Sequence, residues 1–595
     1  MNPLAAKGRR TRNVIWEVGL LVVLPLAFSR GFAEQFSTPK FFLTKLIIIA
    51  GLAVWALGRI WTPAPRPVQF PFSAPLLAFS LAVLISCLAS PVPRFSLMEA
   101  EYALCGPAWV LLLLRWEPGE ACVQRIATLI GLAGAVVAGI ILLQKMGFDP
   151  VLLGGYQVDW GSMVARMRLY ATFGNPNLVG GYLIGTVFAA LALAAASKSR
   201  WVRLAWCGVA LMMLAAIVET GSRGAWLGLG AGLAVALMLL LLNNDSFQMT
   251  IRSAASIKSV VVPSAFWLLA LLPLAWAERI ADRIDGRVYL WRFSWPIFWR
   301  HPIVGVGWGN YQLIYLDLQA EFLTAHPDHL AFWTNNWLLH NDLLQLLLET
   351  GIVGLAAFIW ILWKFGSEAR RTTLQSTHTW ARYAIAASVG GVTSILTDSF
   401  FNYQFAVPPT YILLFTFLAF PTLLRDNSVE GESSYGSSPP LSVRPPILPT
   451  FWKVAGCLAI VAITCGLIWQ QVRLLRSERF YQMASGLEEQ HDLRDAESAF
   501  RRSVELNALN GRAHFGLSRV LLSHGRSAEA LAEIVQAERT YADSHQEVLR
   551  GVILEQMGNF KGAQEAYRHA VWLDPTLTTA QEDVSRRSKP ENSSH

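Results

Sequence analysis

The chain has 595 residues, of which 53% are hydrophobic and only 15% are charged. Stretches of about 20 apolar residues recur through most of its length, and a soluble core does not require such stretches. The composition therefore excludes an ordinary soluble enzyme and predicts an all-α, polytopic helical membrane bundle. Membrane topology accounts for the net charge of +8, so no nucleic-acid partner is expected.

The apolar stretches predict about thirteen membrane spans, or twelve to thirteen transmembrane helices. They lie at roughly 14–29, 41–61, 73–90, 98–115, 123–146, 175–197, 201–219, 223–242, 259–277, 340–364, 381–404, 408–424 and 451–471. The first span lacks a small-residue cleavage site, so no cleavable signal peptide is expected. The six cysteines form no Cys-x-x-Cys motif and no cluster with histidine, which argues against a disulfide framework and a zinc site.

Lysine and arginine residues set the predicted orientation of these spans. A basic cluster precedes the first span, and the positive-inside rule places that end of the chain in the cytoplasm. That cluster consists of Lys7, Arg9, Arg10 and Arg12. Positive charges then recur at every second junction between spans: Arg59 and Arg66; Arg115 and Arg125; Lys198, Arg200 and Arg203; Arg252 and Lys258; Lys364, Arg370 and Arg371; Arg425 and Arg444. The loops 147–174 and 278–339 and the C-terminal region are therefore expected on the outer side.

The first polar motif on the predicted outer side is ATFGNPNLVGGYL, at residues 171–183. Asn175 followed by Pro176 predicts a helix start, with an asparagine N-cap and a proline in the first turn. Asn177 and the pair Gly180–Gly181 are expected to let neighbouring helices pack closely.

The second motif, ETGSRGAWLGL at residues 219–229, places Arg223 at the outer membrane boundary. Two interpretations of Arg223 are open. Its side chain can extend from a short turn to the membrane interface. Alternatively, its planar guanidinium can bind phosphate through paired hydrogen bonds.

The third motif, GRVYLWRFSWPIFWRHPIVGVGWGNY at residues 286–311, opens the large loop 278–339. Its interspersed arginine and tryptophan residues predict an amphipathic helix at the membrane interface. Arg287 is the best candidate for a ligand-binding cation, whereas Arg292 and Arg300 are expected to be membrane-surface cations. His301 precedes a proline and is interpreted as a turn residue.

The fourth motif is HNDLLQLLLETGIVGL, at residues 340–355. Ionisable groups inside a membrane helix are costly and mark a functional site by default. Asp342, Gln345 and Glu349 share one face of the predicted helix and are expected to form an interhelical hydrogen-bond network. His340 is predicted on the opposite face, in line with two glycines, at the outer end of the helix. There it could act as a base near neutral pH.

Residues 475–590 are helical in pattern, amphipathic and charged, and they repeat with a period of 33 to 34 residues. Ala496, Ala530 and Ala563 occupy equivalent positions, as do Gly525 and Gly558. The pattern resembles the tetratricopeptide repeat in about three copies, each a helix pair that buries its apolar face by stacking. Two interpretations are open: a binding surface for a protein or glycan partner, or a stabilising cap.

Four segments in this order resemble the O-antigen ligase and O-antigen polymerase superfamily. They are FGNPN (173–177), GSRGAWLGL (221–229), GR…W…HPIVGVGWGNY (286–311) and HNDLLQLLLETGIVGL (340–355). The resemblance implies a GT-C-like, inverting glycosyltransferase in the bacterial inner membrane, active without a metal or other cofactor. Its donor would be a glycan on undecaprenyl pyrophosphate, used on the periplasmic face.

The same resemblance implies roles for individual residues. By motif match, His340 would be the base that deprotonates the acceptor, and Arg223 and Arg287 would bind the donor pyrophosphate. Supporting roles are expected for Asn177, Asn310, Asp342 and Glu349. The implied domains are the membrane domain 1–424 with its periplasmic loop 278–339, a linker 425–450, an additional span 451–471 and a periplasmic repeat domain 472–595.

The sequence does not decide which acceptor the enzyme would use. It would be lipid A–core for a ligase, a growing glycan for a polymerase, or a protein hydroxyl for a protein O-oligosaccharyltransferase. Membrane lipids surround the bundle, and the repeats could bind a protein partner. A transporter would place its ionisable groups near the membrane midplane, and a non-enzymatic scaffold would need only one span.

Overall fold

The computed structural model describes residues 14–61, 72–116, 119–152, 169–242, 281–376, 378–425 and 449–577. Within these ranges all regular secondary structure is helical, as the sequence predicted. The helices of the bundle and its final span are Val14–Leu26, Thr38–Trp61, Ser73–Leu88, Pro93–Ala103, Cys105–Trp116, Glu120–Lys145, Pro176–Ala196, Arg200–Thr220, Arg223–Leu242, Asp342–Gln375, Thr379–Asp398, Pro408–Leu423 and Thr450–Glu489. The large loop contains the helices Ala281–Ser294, Pro296–Arg300 and Tyr311–Ala325.

Within the described ranges, eight helices are long and apolar enough to cross a membrane, and three further apolar helices are shorter. Each predicted span coincides with a helix except 259–277, which lies outside the described residues. The all-helical membrane fold is therefore confirmed. Two helices extend well beyond the spans predicted within them: the helix over 340–364 continues to Gln375, and the helix over 451–471 continues to Glu489.

The centre of the bundle is the helix Pro176–Ala196, which is buried along almost its whole length. Its start is as predicted: the Asn175 side chain accepts a hydrogen bond of 2.9 Å from the Asn177 N–H. Small residues bring its neighbours close together. A Cβ added at Gly232 would collide with the backbone of Gly390, so the two helices that carry these glycines touch through their backbones.

The helix Asp342–Gln375, here called the kinked helix, is interrupted at Gly351. Gly351 has φ 66° and ψ −169°, a backbone conformation essentially restricted to glycine. The large loop supplies the hydrogen bonds that the interruption removes. Val306 and Gly307 donate their N–H groups to the carbonyls of Leu348 and Glu349, at 3.1 and 2.9 Å.

The bonding between the kinked helix and the large loop is reciprocal, because Ile352 also donates its N–H to the Pro302 carbonyl at 2.9 Å. A Cβ at Gly305 would collide with the Glu349 backbone, and one at Gly351 with the Ile303 backbone. We call this contact the loop–helix interlock. It explains Gly305 of the third motif and Gly351 of the fourth, since buried backbone must find hydrogen-bond partners within the protein.

The helix Thr450–Glu489 is about 60 Å long and runs without interruption from the membrane part into the repeats. The repeat helices are Leu493–Leu506, Gly511–Ser523, Ser527–Ala537, Ser544–Gln556 and Phe560–Leu573. The predicted repeat positions Ala496, Ala530 and Ala563 are fully buried. The inter-helix turns at Gly525 and Gly558 have positive φ, and His491 takes the equivalent position in the first repeat with φ 63°.

We predict that Gly351→Ala destabilises the protein, by about 1–3 kcal/mol for the backbone conformation alone, and further through the collision with Ile303. Gly366→Ala is the matched control, because Gly366 lies in the same helix with nothing near its missing Cβ. Thermal unfolding in detergent measures both variants. Equal unfolding temperatures for the two would contradict the interlock.

Candidate functional site

His340 lies just before the kinked helix and not on it. The helix begins at Asp342, because the Asn341 side chain caps it by accepting a hydrogen bond of 3.0 Å from the Leu344 N–H. His340 itself has a left-handed backbone with φ 51°. The predicted alignment of His340 with the helix glycines is therefore wrong, since His340 falls outside the helical periodicity.

The hydrogen bonds of His340 fix which ring nitrogen can accept a proton. The Asn336 amide nitrogen donates to Nε2 at 2.7 Å, while the Asn336 amide oxygen accepts from the Leu338 N–H at 3.2 Å. The second bond sets the orientation of the amide, so Nε2 is an acceptor and the neutral ring carries its hydrogen on Nδ1. Nδ1 is buried and has no hydrogen-bond partner among the described residues.

Two aromatic side chains hold the segment that carries His340. The Trp291 indole N–H donates to the Leu339 carbonyl at 2.9 Å. The Tyr403 ring meets the His340 ring edge to face, with centroids 5.0 Å apart. Trp291 belongs to the loop helix Ala281–Ser294, so that helix orients His340 and also carries Arg287.

Arg287 reaches the end of the helix Thr379–Asp398 through a chain of side chains. Its guanidinium donates to the Asn402 amide oxygen at 3.4 Å, and the Asn402 amide nitrogen donates to the Asp398 carboxylate at 2.6 Å. The Gln404 amide donates to the other Asp398 oxygen at 2.6 Å. It also donates to the Asn177 carbonyl at 3.4 Å. The four residues Arg287, Asn402, Asp398 and Gln404 are here called the amide–carboxylate network.

Arg223 approaches this network from another helix. It is exposed at the first position of the helix Arg223–Leu242. The next residue, Gly224, lies against Asp398 and Asn402 so closely that a Cβ would collide with the Asp398 carboxylate. The structure therefore brings the starts of the helices that carry Asn177 and Arg223 together with Arg287, at the end of the bundle where His340 lies.

The predicted supporting residues separate into two places. Asn177 joins the network through its backbone carbonyl. Glu349 and Asn310 instead close the loop–helix interlock: Glu349 accepts from the Gly309 N–H at 2.9 Å, and the Asn310 amide donates to the Val306 carbonyl at 2.8 Å. These two residues hold the loop that positions the site.

Asp342 bonds to a neighbouring segment, whereas Gln345 bonds to Glu349 within its own helix. The Asp342 carboxylate accepts from the Phe405 N–H at 3.0 Å, and the Gln345 amide donates to Glu349 at 3.2 Å. The polar face of the kinked helix therefore bonds to the loop and to the turn after Asp398. The same face also lines a cavity.

That cavity has a volume of about 700 Å³, within the range of small-molecule sites. Asp342, Gln345 and Glu349 line one side of it, and Tyr403 lines it next to His340. Residues of the large loop and of the repeats complete its walls. Within the described ranges, no three His, Cys, Asp or Glu side chains are placed to hold a metal ion.

Burial sets the protonation state of His340. Burial, and secondarily the positive charge of Arg287, lower the pKa of His340 from 6.5 to about 4. The ring is therefore neutral at pH 7, and its Nε2 can accept a proton. The lowered pKa also makes His340 a weaker base than the sequence interpretation assumed.

Sequence reasoning missed Asn336, Trp291, Asp398, Asn402, Gln404 and Tyr403. A signal existed for Asp398, because a carboxylate inside a predicted span marks a functional site. Asn402 and Gln404 follow it in the stretch that was assigned to the same span. No comparable signal existed for Asn336 or Trp291, whose roles depend on the path of the large loop.

The fold and this cluster define an integral membrane protein with a polar site at one end of its helix bundle. Residues 208–359 match the family model for O-antigen ligase, and residues 481–545 match the model for the tetratricopeptide repeat. The chain thus combines an O-antigen ligase domain with a tetratricopeptide repeat region, which confirms the resemblance found in the motifs. The search of curated proteins gave no match.

The ligase match includes Arg223, Arg287 and His340 but ends before Asp398, Asn402 and Gln404. It supports a role in cell-surface polysaccharide biosynthesis and indicates a glycosyl-transferring enzyme. Together with the apolar helices, it fits a multi-pass protein of the inner membrane.

Proposed function

We propose that the protein transfers a glycan from undecaprenyl pyrophosphate to an acceptor hydroxyl on the periplasmic face of the inner membrane. The carrying observation is the placement of a neutral histidine with an acceptor nitrogen beside Arg287, at the end of the bundle where Arg223 also lies. This transfer needs two kinds of chemical group: a base for the acceptor hydroxyl and cations that bind the phosphates. Ligase, polymerase and protein O-oligosaccharyltransferase share this chemistry and differ only in the acceptor.

In the proposed step, the acceptor oxygen forms a bond to the anomeric carbon of the donor sugar. The acceptor O–H bond breaks, and its proton passes to the lone pair of His340 Nε2 after the Asn336 amide releases it. The bond between the anomeric carbon and the phosphate oxygen breaks, and undecaprenyl pyrophosphate leaves with that electron pair. A single displacement on the face opposite the leaving group inverts the anomeric configuration.

Negative charge develops on the pyrophosphate as this bond breaks, and preorganised cations stabilise such charge most effectively. Arg287 and Arg223 are the proposed cations. The start of the helix Arg223–Leu242 adds the positive end of the helix dipole. Asp398 would hold Arg287 in place through Asn402.

The low pKa of His340 in the free protein is compatible with this role. Arg287 contributes to the lowered pKa, and a bound pyrophosphate would offset that positive charge. We therefore expect the pKa of His340 to rise when the donor binds, so that its base strength increases only in the donor complex.

We predict that His340→Ala lowers the transfer rate by about 10²–10⁴-fold, the usual contribution of a general base. Arg287→Ala is expected to cause a comparable loss while leaving membrane insertion intact. The matched controls are His301→Ala and Arg300→Ala, since both residues are exposed in the same loop. Transfer of labelled glycan by purified protein in nanodiscs measures the rates, and normal rates in both site variants would rule out the proposal.

The pH dependence of transfer gives a separate prediction. The neutral form of His340 is the active form, so activity falls as the pH decreases through its pKa. We predict that kcat/KM for the donor falls only near pH 4, and that kcat falls at a higher pH because donor binding raises the pKa. If kcat/KM instead fell around pH 6.5, the ordinary pKa of histidine, the effect of burial on His340 would be contradicted. Recovery of activity after return to pH 7 excludes irreversible unfolding, and near-UV circular dichroism at the acid pH excludes reversible unfolding.

A further inference from the structure

The repeat region is fixed against the large loop at its far end. The Trp333 indole N–H donates to the Leu573 carbonyl at 3.0 Å, and the Trp572 indole N–H donates to the Thr324 hydroxyl at 3.0 Å. Leu573 is buried in the hydrophobic core of the loop. The last repeat helix therefore docks on the loop through apolar burial and two directed hydrogen bonds.

A second contact fixes the start of the repeat region. Gln470 and Gln471, in the long helix that enters the repeats, donate to the two oxygens of Glu101 at 2.9 and 2.7 Å. Glu101 belongs to the membrane bundle. With both ends held, the repeats cover the end of the bundle and enclose the space between them.

That enclosed space is the 700 Å³ cavity described above. Its repeat-side lining includes Asn507, Asn510, Arg512 and Tyr541, and Asp342, Gln345 and Glu349 line the same cavity. The side chains of the repeats and those of the fourth motif therefore meet at one binding space. The cavity is also lined by Leu338 and Asp342, which lie close to His340 on either side in the sequence.

The charged groups of the lining indicate what the cavity can hold. Arg512 donates to Glu478 at 3.2 Å, Lys45 lies 3.4 Å from Glu101, and the Lys40 ammonium donates to three backbone carbonyls. Each of these cations is thus already paired within the protein, which offsets its charge, although Arg512 gives Glu478 only one of its five N–H donors in the described residues. Glu34 and Glu99 add further carboxylates, so a phosphorylated ligand would meet repulsion here and not a phosphate clamp.

The remaining lining suits a ligand with many hydroxyl groups. Amides of Gln312, Asn335 and Asn507 can donate and accept hydrogen bonds, and carboxylates accept them from hydroxyls. The rings of Trp308, Trp337 and Tyr541 offer apolar faces on which sugar rings can stack. A mixture of aromatic faces and a few placed polar groups is typical of small-molecule sites.

We propose that this cavity is the acceptor site, that the repeat region forms one of its walls, and that the acceptor it takes is an uncharged oligosaccharide. The inference rests on the proposed function, because the acceptor hydroxyl would reach His340 past the Tyr403 ring. In this arrangement the repeats help to select the acceptor that the membrane domain of the same chain uses. Binding a separate protein is then not their main role.

The test compares Arg512→Gln with Arg519→Gln in the full-length protein in nanodiscs. The two arginines make a matched pair in one helix: each donates to a glutamate, and each lies over an aromatic ring, Tyr481 and Phe515 respectively. Of the two, only Arg512 lines the cavity. We predict that Arg512→Gln raises the KM for an uncharged oligosaccharide acceptor about tenfold, the effect of losing one hydrogen bond to a charged group, and leaves the donor KM unchanged. Arg519→Gln should leave both constants unchanged.

Arg512→Gln also breaks the contact between Arg512 and Glu478, and this structural change could raise the acceptor KM by itself. A second pair of variants, which leaves that contact intact, controls for this effect. Tyr541→Ala removes an aromatic face from the cavity wall, and Phe560→Ala removes an exposed ring from the repeat helix Phe560–Leu573. The acceptor KM should rise for Tyr541→Ala and not for Phe560→Ala, with unfolding temperatures of the two variants recorded in parallel.

The outcomes separate the inference from the proposed function. Wild-type acceptor KM in both Arg512→Gln and Tyr541→Ala, with His340→Ala inactive, overturns the inference and leaves the proposed function in place. Preferred use of a phosphorylated lipid A–core acceptor over the uncharged oligosaccharide overturns the assigned ligand class. Full activity of His340→Ala would instead remove the proposed function on which the inference rests.

Discussion

The arrangement of this protein depends on the backbone contact between the large loop and the kinked helix. Where Gly351 interrupts the helix, the loop donates to the free carbonyls of Leu348 and Glu349, and the helix donates back to Pro302. An interruption at this depth would otherwise leave buried peptide groups unpaired, at a cost of several kcal/mol each. The contact therefore sets the path of the loop, which carries Arg287 and the Trp291 that holds the His340 segment.

A second constraint acts at the same end of the bundle, where buried polar side chains must find partners. Asp398 receives hydrogen bonds from Asn402 and Gln404, and through them it connects Arg287 with the start of the helix Pro176–Ala196. The network joins loop, bundle and first motif in one bonded unit. A site that must stabilise a leaving group without reorganising needs cations held in this way.

The sequence predicted those features that follow from local chemistry. Hydropathy located the spans, Asn175 and Pro176 marked a helix start, and the spacing of Ala496, Ala530 and Ala563 identified the repeats. The left-handed backbone of His340 and the interruption at Gly351 could not be predicted, because distant segments impose both. The amphipathic helix predicted for the third motif breaks at Pro296, and its Trp291 turns inward to bond Leu339. Hydropathy gives no information on such contacts, and it gave none on the cavity that the repeats help to enclose.

The central claim is that one end of the bundle combines a neutral histidine base with a pyrophosphate site. A cryo-EM structure of the full chain in nanodiscs, with a non-hydrolysable undecaprenyl-pyrophosphate sugar analogue bound, tests it most directly. The account predicts pyrophosphate oxygens within about 3.2 Å of the Arg287 guanidinium nitrogens, and the anomeric carbon on the side of His340 Nε2. A pyrophosphate bound away from Arg287, Arg223 and His340 would contradict it.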